Sequence, residues 1–141
     1  MKAKIFILIA LLFGLSSAYC QIDLSKEYAQ EKEEVKEALK EIEQSIRNNE
    51  TDKLISMHAY GPKFTEFLGS ITEVEKWDWE DLEIHIYGGD VANVTFHSNF
   101  KFDRGEEAYD LKMQGTLLFI KTSDGWKITH EHMAPLAENT P

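Results

Sequence analysis

The hydrophobic period changes once along this chain, and that change restricts the fold more than any other feature. Up to about residue 59 apolar residues recur every three or four positions; from about residue 82 they recur every second one. In the first part Tyr28, Val35, Leu39, Ile42 and Ile46 fall on one stripe, which predicts a helix from about Leu24 to Asn48. Its other faces are charged, with Glu33 and Lys36, and Glu37 and Lys40, at a spacing that pairs side chains on a helix. Such a run reads as a solvated helix face. Asp23 or Ser25 suits the cap at its start, and Asn48 and Asn49 suit its exit. A second helix is predicted from Thr51 to about Ala59, with Leu54, Ile55 and Met57 buried and Gly61 and Pro62 ending it.

The second part reads as an antiparallel meander. Phe64, Glu66 and Leu68 alternate as a short strand would, whereas Ser70 to Asp81 has no clear period. There, Trp77 and Trp79 share a face only if the backbone is extended. Leu82, Ile84 and Ile86 then alternate with Glu83, His85 and Tyr87, and Gly88-Gly89-Asp90 makes a hairpin turn. Val94 to Phe102 is a second strand, Tyr109 to Lys121 a third and Trp126 to Met133 a fourth, with turns at Asp103-Arg104-Gly105 and Ser123-Asp124-Gly125. Helices followed by a meander imply an α+β fold with the helices on one sheet face.

The N-terminus carries a different signal. Lys2 and Lys4, an apolar run from Ile5 to Leu15, and small residues Ser16 to Ala18 form the three-part layout of a secretory signal peptide. The run is shorter than the about 20 residues of a membrane span, so no span is expected. We place the signal at residues 1–20 and a single domain at 21–141, with its core at about 24–134. The expected location is secreted or periplasmic; lipid anchoring at Cys20, the sole cysteine, fits less well because Tyr19 precedes it. Without Lys2 and Lys4 the chain holds 13 Lys plus Arg against 25 Asp plus Glu, a net charge of −12. A surface this acidic repels phosphate backbones and argues against nucleic acid as a partner.

Four segments together resemble the SnoaL-like domain family. They are Asn49-Glu50-Thr51-Asp52-Lys53-Leu54, Gly89-Asp90-Val91-Ala92-Asn93-Val94, Gly115-Thr116-Leu117-Leu118-Phe119 and Asp124 to His132. The resemblance spans about residues 30 to 134. It implies the cone-shaped α+β fold shared with nuclear transport factor two and ketosteroid isomerase, in which a curved antiparallel sheet wraps the N-terminal helices and leaves a pocket. That family contains isomerases, cyclases and dehydratases beside non-catalytic binding and assembly domains, so fold alone does not assign function. Many members carry an acidic residue after the second helix; here the chain runs Met57-His58-Ala59-Tyr60-Gly61-Pro62. No Tyr and Asp pair matches the isomerase oxyanion site, which weakens an enzymatic reading.

Candidate site residues follow from strand alternation. His130 and His132 project to one face of the last strand, and apolar Trp126 and Ile128 on that face mark it as the inner one. This places both rings on the inner wall near the mouth of the cone. Tyr60, Phe64 and Trp79 are the aromatic residues expected opposite them, and His97 and Asn99 are further candidates on a bent strand. A zinc site usually takes three or four ligands; His97 could be a third, but nothing in the sequence sets its distance, and neither a metal nor another cofactor is expected. The reading that results is a non-catalytic binding domain for a small, partly apolar ligand or a peptide. A lyase or isomerase using a pocket histidine as base, and a dimerising assembly module, are the alternatives. A homodimer through the outer face is expected because both sheet faces carry apolar residues.

Overall fold

The computed structural model describes residues 26–59 and 70–136. Helix α1 spans Ala29–Arg47 and α2 spans Thr51–Ser56, and strands β1 (Glu73–Tyr87), β2 (Val91–Arg104), β3 (Glu107–Thr122) and β4 (Gly125–Pro135) follow. The strands form one antiparallel sheet in the order β1-β2-β3-β4. The architecture is the α+β layout expected from the change of period. The predicted signal peptide, the Asp23 and Ser25 caps and the Phe64 to Leu68 strand lie outside the described residues.

Helix α1 buries the predicted stripe, with Val35, Leu39, Ile42 and Ile46 shielded from solvent. It begins at Ala29, about five residues later than the sequence pattern suggests, and no side chain caps it. It ends where Asn49 adopts a positive φ of 56° and Glu50 N–H donates to the Ser45 carbonyl, a reversal that asparagine tolerates. Helix α2 stops at Ser56 rather than near Ala59 because the chain there bonds to β4 instead. Ile128 N–H donates to the Met57 carbonyl and Ala59 N–H to the Ile128 carbonyl, both at 2.8 Å. Of the residues expected inside, Leu54 and Met57 are buried and Ile55 is half-buried.

The core lies between α1 and the inner face of the sheet. Phe96, Phe100 and Phe102 of β2, Leu117 and Phe119 of β3, and Trp126 and Ile128 of β4 fill it. Each large apolar side chain so buried contributes about 1.5–3 kcal/mol. Ser70 to Asp81, which lacked a readable period, is mostly strand: β1 starts at Glu73, and Trp77 and Trp79 both turn inward. Trp77 stacks on Phe100 with ring centres 4.1 Å apart.

Bulges interrupt the ladder, and two of them decide which side chains face inward. Asp81 and Leu82 together oppose Phe96, and Asp81 sits at φ 48°. The extra residue shifts the inward set of β1 from Trp77 and Trp79 to Ile84 and Ile86. On β4, Phe119 pairs with Ile128 but Leu118 pairs with His130, which leaves Thr129 as the extra residue. Its hydroxyl donates to the Leu118 carbonyl at 3.0 Å, holding the bulge in place. A one-residue bulge inverts the facing of everything beyond it.

A candidate site on the inner face

The Thr129 bulge overturns the expected placement of the histidine pair. Beyond it Glu131 and Met133 face inward, whereas His130 and His132 are exposed on the outer face. His97 and His132 line one outer groove of about 420 Å³, with Thr95, Gln114, Thr116 and Asp81. There His97 Nδ1 lies 2.9 Å from Asp81 Oδ2. Asn99 also belongs to the outer side, and its Oδ1 has no partner. Trp79 stands apart on the inner wall, edge-on to Phe96 at 4.6 Å. Tyr60 and Phe64 lie outside the described residues. The seven residues singled out from sequence therefore do not form one site.

What the inner face holds instead is a pair that strand alternation concealed. The bridge between residue 58 and β4 brings His58 against Glu131, with Nε2 3.0 Å from Oε1. The two side chains are only 9% and 8% exposed. His58 Nδ1–H donates to the Leu54 carbonyl at 2.8 Å. A carbonyl oxygen only accepts, so Nδ1 must carry a proton. Nε2 then holds a second proton if Glu131 is ionised, and the pair is an imidazolium and a carboxylate. The Glu131 carboxylate raises the His58 pKa above its ordinary value; burial opposes this, and the Leu54 carbonyl adds to it. The described bonds of Glu131 use Oε1 alone, which leaves Oε2 available.

Around this pair the inner wall is apolar and incompletely covered. Met133 follows Glu131 on β4, and Met113, Leu111 and Trp79 extend the surface across the sheet, each half-buried against the core. Gly115 stands between Met113 and Leu117, and the Phe96 ring occupies the space beside it: a Cβ at Gly115 would come within 2.3 Å of that ring. Three polar atoms on this side are buried without a partner, namely the indole nitrogens of Trp77 and Trp79 and the Ser98 hydroxyl. Buried polar groups are paired in the large majority of cases.

A larger groove of about 780 Å³ runs between α1 and the β3–β4 hairpin. Its floor includes Ala38, Ile42, Met57 and Trp126. It is spanned by internal bonds: Glu34 accepts from Lys121 Nζ at 2.6 Å and from Trp126 Nε1 at 3.0 Å. Lys121, then Trp126 and Gln30, hold the Glu34 carboxyl down at a pKa of about 2. These contacts fasten the hairpin to the helix, which explains the groove structurally. Among the described residues no cluster of three or more His, Cys, Asp or Glu side chains is placed to hold a metal, and no helix is long and apolar enough to cross a membrane.

Residues 46–138 match the SnoaL-like domain family. The chain belongs to that family. No curated protein matches the sequence. Among solved structures, this SnoaL-like domain resembles a candidate dehydratase of the NTF2-like family from Streptomyces avermitilis. The two are 18% identical with a TM-score of 0.64, over 75% of this chain and 96% of that one. It also resembles a candidate calcium/calmodulin-dependent kinase II association domain from Exiguobacterium sibiricum, at 15% identity and a TM-score of 0.66, over 82% and 100% of the two chains. A third neighbour is an NTF2-like protein of unknown function in nutrient uptake from Rhodospirillum rubrum, at 16% identity and a TM-score of 0.59, over 79% and 100%. At such identities the likeness establishes the NTF2-like fold and nothing about ligand or reaction.

Proposed function

We propose that this is an exported SnoaL-like domain that holds a small, partly apolar ligand against the inner face of its sheet, without turnover. The observation that carries this reading is the buried His58–Glu131 pair, set beside the half-buried wall of Met133, Met113, Leu111 and Trp79. A buried ion pair is a poor device for stability, because desolvation offsets most of its attraction. Charged pairs of this kind concentrate at functional sites. Glu131 Oε2 offers an acceptor to a ligand, and the unpaired Trp79 indole offers a donor. Apolar walls with a few convergent polar groups are the usual makeup of small-molecule sites. Export rests on the N-terminal layout of Lys2, Lys4 and the Ile5 to Leu15 run.

The test is native mass spectrometry of the exported protein, followed by titration with the neutral dye prodan. Bound small molecules, or saturable dye binding weakened about tenfold or more by Met133→Asp in a folded variant, support the reading. Absence of both defeats it. Retention of residues 1–18 on exported protein would defeat the export assignment.

A second reading is proton transfer, favoured by one specific feature. His58 and Glu131 share a proton away from bulk water, and among the described residues no hydrogen bond uses Glu131 Oε2. Glu131 would then accept a proton from the carbon beside a carbonyl, with His58 holding the carboxylate in place. This reading predicts deuterium exchange into a small apolar ketone such as α-tetralone, lost in Glu131→Gln. No exchange above the buffer rate excludes it.

A further inference from the structure

On the inner face, Nε1 of Trp77, Nε1 of Trp79 and the Ser98 hydroxyl are buried with no hydrogen-bond partner among the described residues. Trp77 and Ser98 are only 4% and 3% exposed. The three belong to one patch. Trp79 pairs with Ser98 across the β1–β2 ladder and Trp77 with Phe100, and the two indole rings stand edge-on with centres 6.5 Å apart. Folded proteins pair nearly all their buried polar groups, so three orphans side by side call for a chemical explanation. Their chemistry is one-sided. An indole nitrogen only donates and a hydroxyl can donate, so the patch offers donors and lacks an acceptor.

We propose that Trp77, Trp79 and Ser98 receive a carbonyl oxygen, and that the ligand is an elongated neutral carbonyl compound whose far end carries a hydroxyl for Glu131. The inference rests on the ligand reading above and names the class of ligand. Charge decides between a carbonyl and a carboxylate. The inward positions of the four strands hold no Lys or Arg. Arg47 reaches the Trp77 carbonyl at 3.5 Å but is held by Glu43 at 2.9 Å, and the His58 imidazolium is held by Glu131. A carboxylate buried against these rings would meet no free cation. It would also be repelled by a chain with 25 Asp plus Glu against 15 Lys plus Arg. A neutral carbonyl accepts the same bonds without either penalty.

The length of the ligand follows from the register. Glu131 pairs with Leu117 on β3, whereas Ser98 of β2 pairs with Met113. The two ends therefore lie two strands and four residues apart, on the order of 16 Å at about 4.8 Å per strand and 3.4 Å per residue. Met133 and Met113 lie along that line, half-buried, with unbranched side chains that adapt to a chain laid over them. Between them Gly115 has no side chain, and the Phe96 ring fills its place and keeps the floor apolar. An extended acyl chain of medium length spans the distance; a compact ring system reaches one end only. At the Glu131 end no described hydrogen bond uses Oε2, so that oxygen takes a donor such as a hydroxyl.

Titration of the isotope-labelled protein with methyl ω-hydroxydodecanoate, followed by calorimetry and by the indole N–H resonances, tests this. The hydroxy ester should bind at least about tenfold more tightly than dodecane-α,ω-diol, which lacks the carbonyl, and than the ω-hydroxydodecanoate anion. It should move the indole signal of Trp77 or Trp79 downfield and leave that of Trp126, which already donates to Glu34, in place. Ser98→Ala should weaken the ester about fivefold or more and leave the diol unchanged. It should also raise the melting temperature of the free protein, because it removes an unpaired buried hydroxyl. Trp79→Phe provides the same affinity test should Ser98→Ala fail to fold. An ester no tighter than the diol, a tighter anion, or an affinity indifferent to both variants would each overturn the proposal. Prodan binding that stays sensitive to Met133→Asp would then leave the broader ligand reading standing, whereas loss of prodan binding as well would defeat both.

Discussion

Replacing Glu131 by Gln isolates the charge of the inner pair while keeping its shape. The Gln amide can donate to Nε2 of a neutral His58, whose Nδ1–H stays on the Leu54 carbonyl. Only the ionic part of the contact is lost. Hydrogen bonds to charged groups contribute about 1.5–3 kcal/mol against about 0.5–1.5 for neutral ones, so the ionic part is about 1–1.5 kcal/mol; both side chains are more than nine-tenths buried, so screening discounts this little. The folded-state pKa of His58 is raised, chiefly by Glu131. Its contribution is therefore complete below the unfolded value of about 6.5 and is lost as pH rises through the higher folded value. Calorimetry near pH 6 should show Glu131→Gln melting roughly 4–6 °C below the parent, at about 4 °C per kcal/mol for a domain of this size. Near pH 9 the two should nearly coincide. An equal gap at both pH values would refute an imidazolium–carboxylate pair in the fold.

Other consequences can be checked as directly. Gly115→Ala pushes a methyl group into the Phe96 ring and should destabilise the domain by about 1–3 kcal/mol in denaturant titration; an unchanged midpoint would show that Phe96 yields freely. Glu34 should stay ionised down to a pH of about 2 because of Lys121 and Trp126, so its carboxyl carbon shift should titrate well below the ordinary carboxylate range. Stability from this group is present above its unfolded pKa and is lost as pH falls through the folded one. Lys121→Met should move that titration upward towards the ordinary carboxylate range, and no movement would contradict the assignment of Lys121 as the chief cause.

Periodicity made the architecture legible and left the site obscure, for one physical reason. Alternation carries facing along a strand only while the register is unbroken. The α1 stripe, the glycine turn after Tyr87 and the inward phenylalanines of β2 all sit in unbroken stretches, and each lies where its pattern indicates. On β4 the alternation set by Trp126 and Ile128 breaks at Thr129, where the bulge lies. Thr129 itself gives no local sign of it. The sign lies further on: Met133 is apolar but out of phase with Trp126 and Ile128, which a single inserted residue explains. His58 was visible only as a departure from the acidic residue many family members carry after the second helix. Its partner lies 73 residues away, and no spacing rule reaches across that distance.

The same inserted residue links the two faces of the sheet. Without it Glu131 would point outward, and His130 and His132 would turn to the core side. With it, the one carboxylate of the His130-Glu131-His132 triplet meets the buried imidazole that follows α2, and the histidines join the outer surface. The inward and outward sets of β4 thus depend on one backbone feature, held by the Thr129 hydroxyl on the Leu118 carbonyl. Leu118 stands at the centre of the outer face, while its strand neighbours Leu117 and Phe119 are among the most deeply buried residues of the core. A change that shifts the register at Leu118 must therefore disturb both faces together, whereas Leu118→Glu, which leaves the backbone alone, should disturb only the outer one.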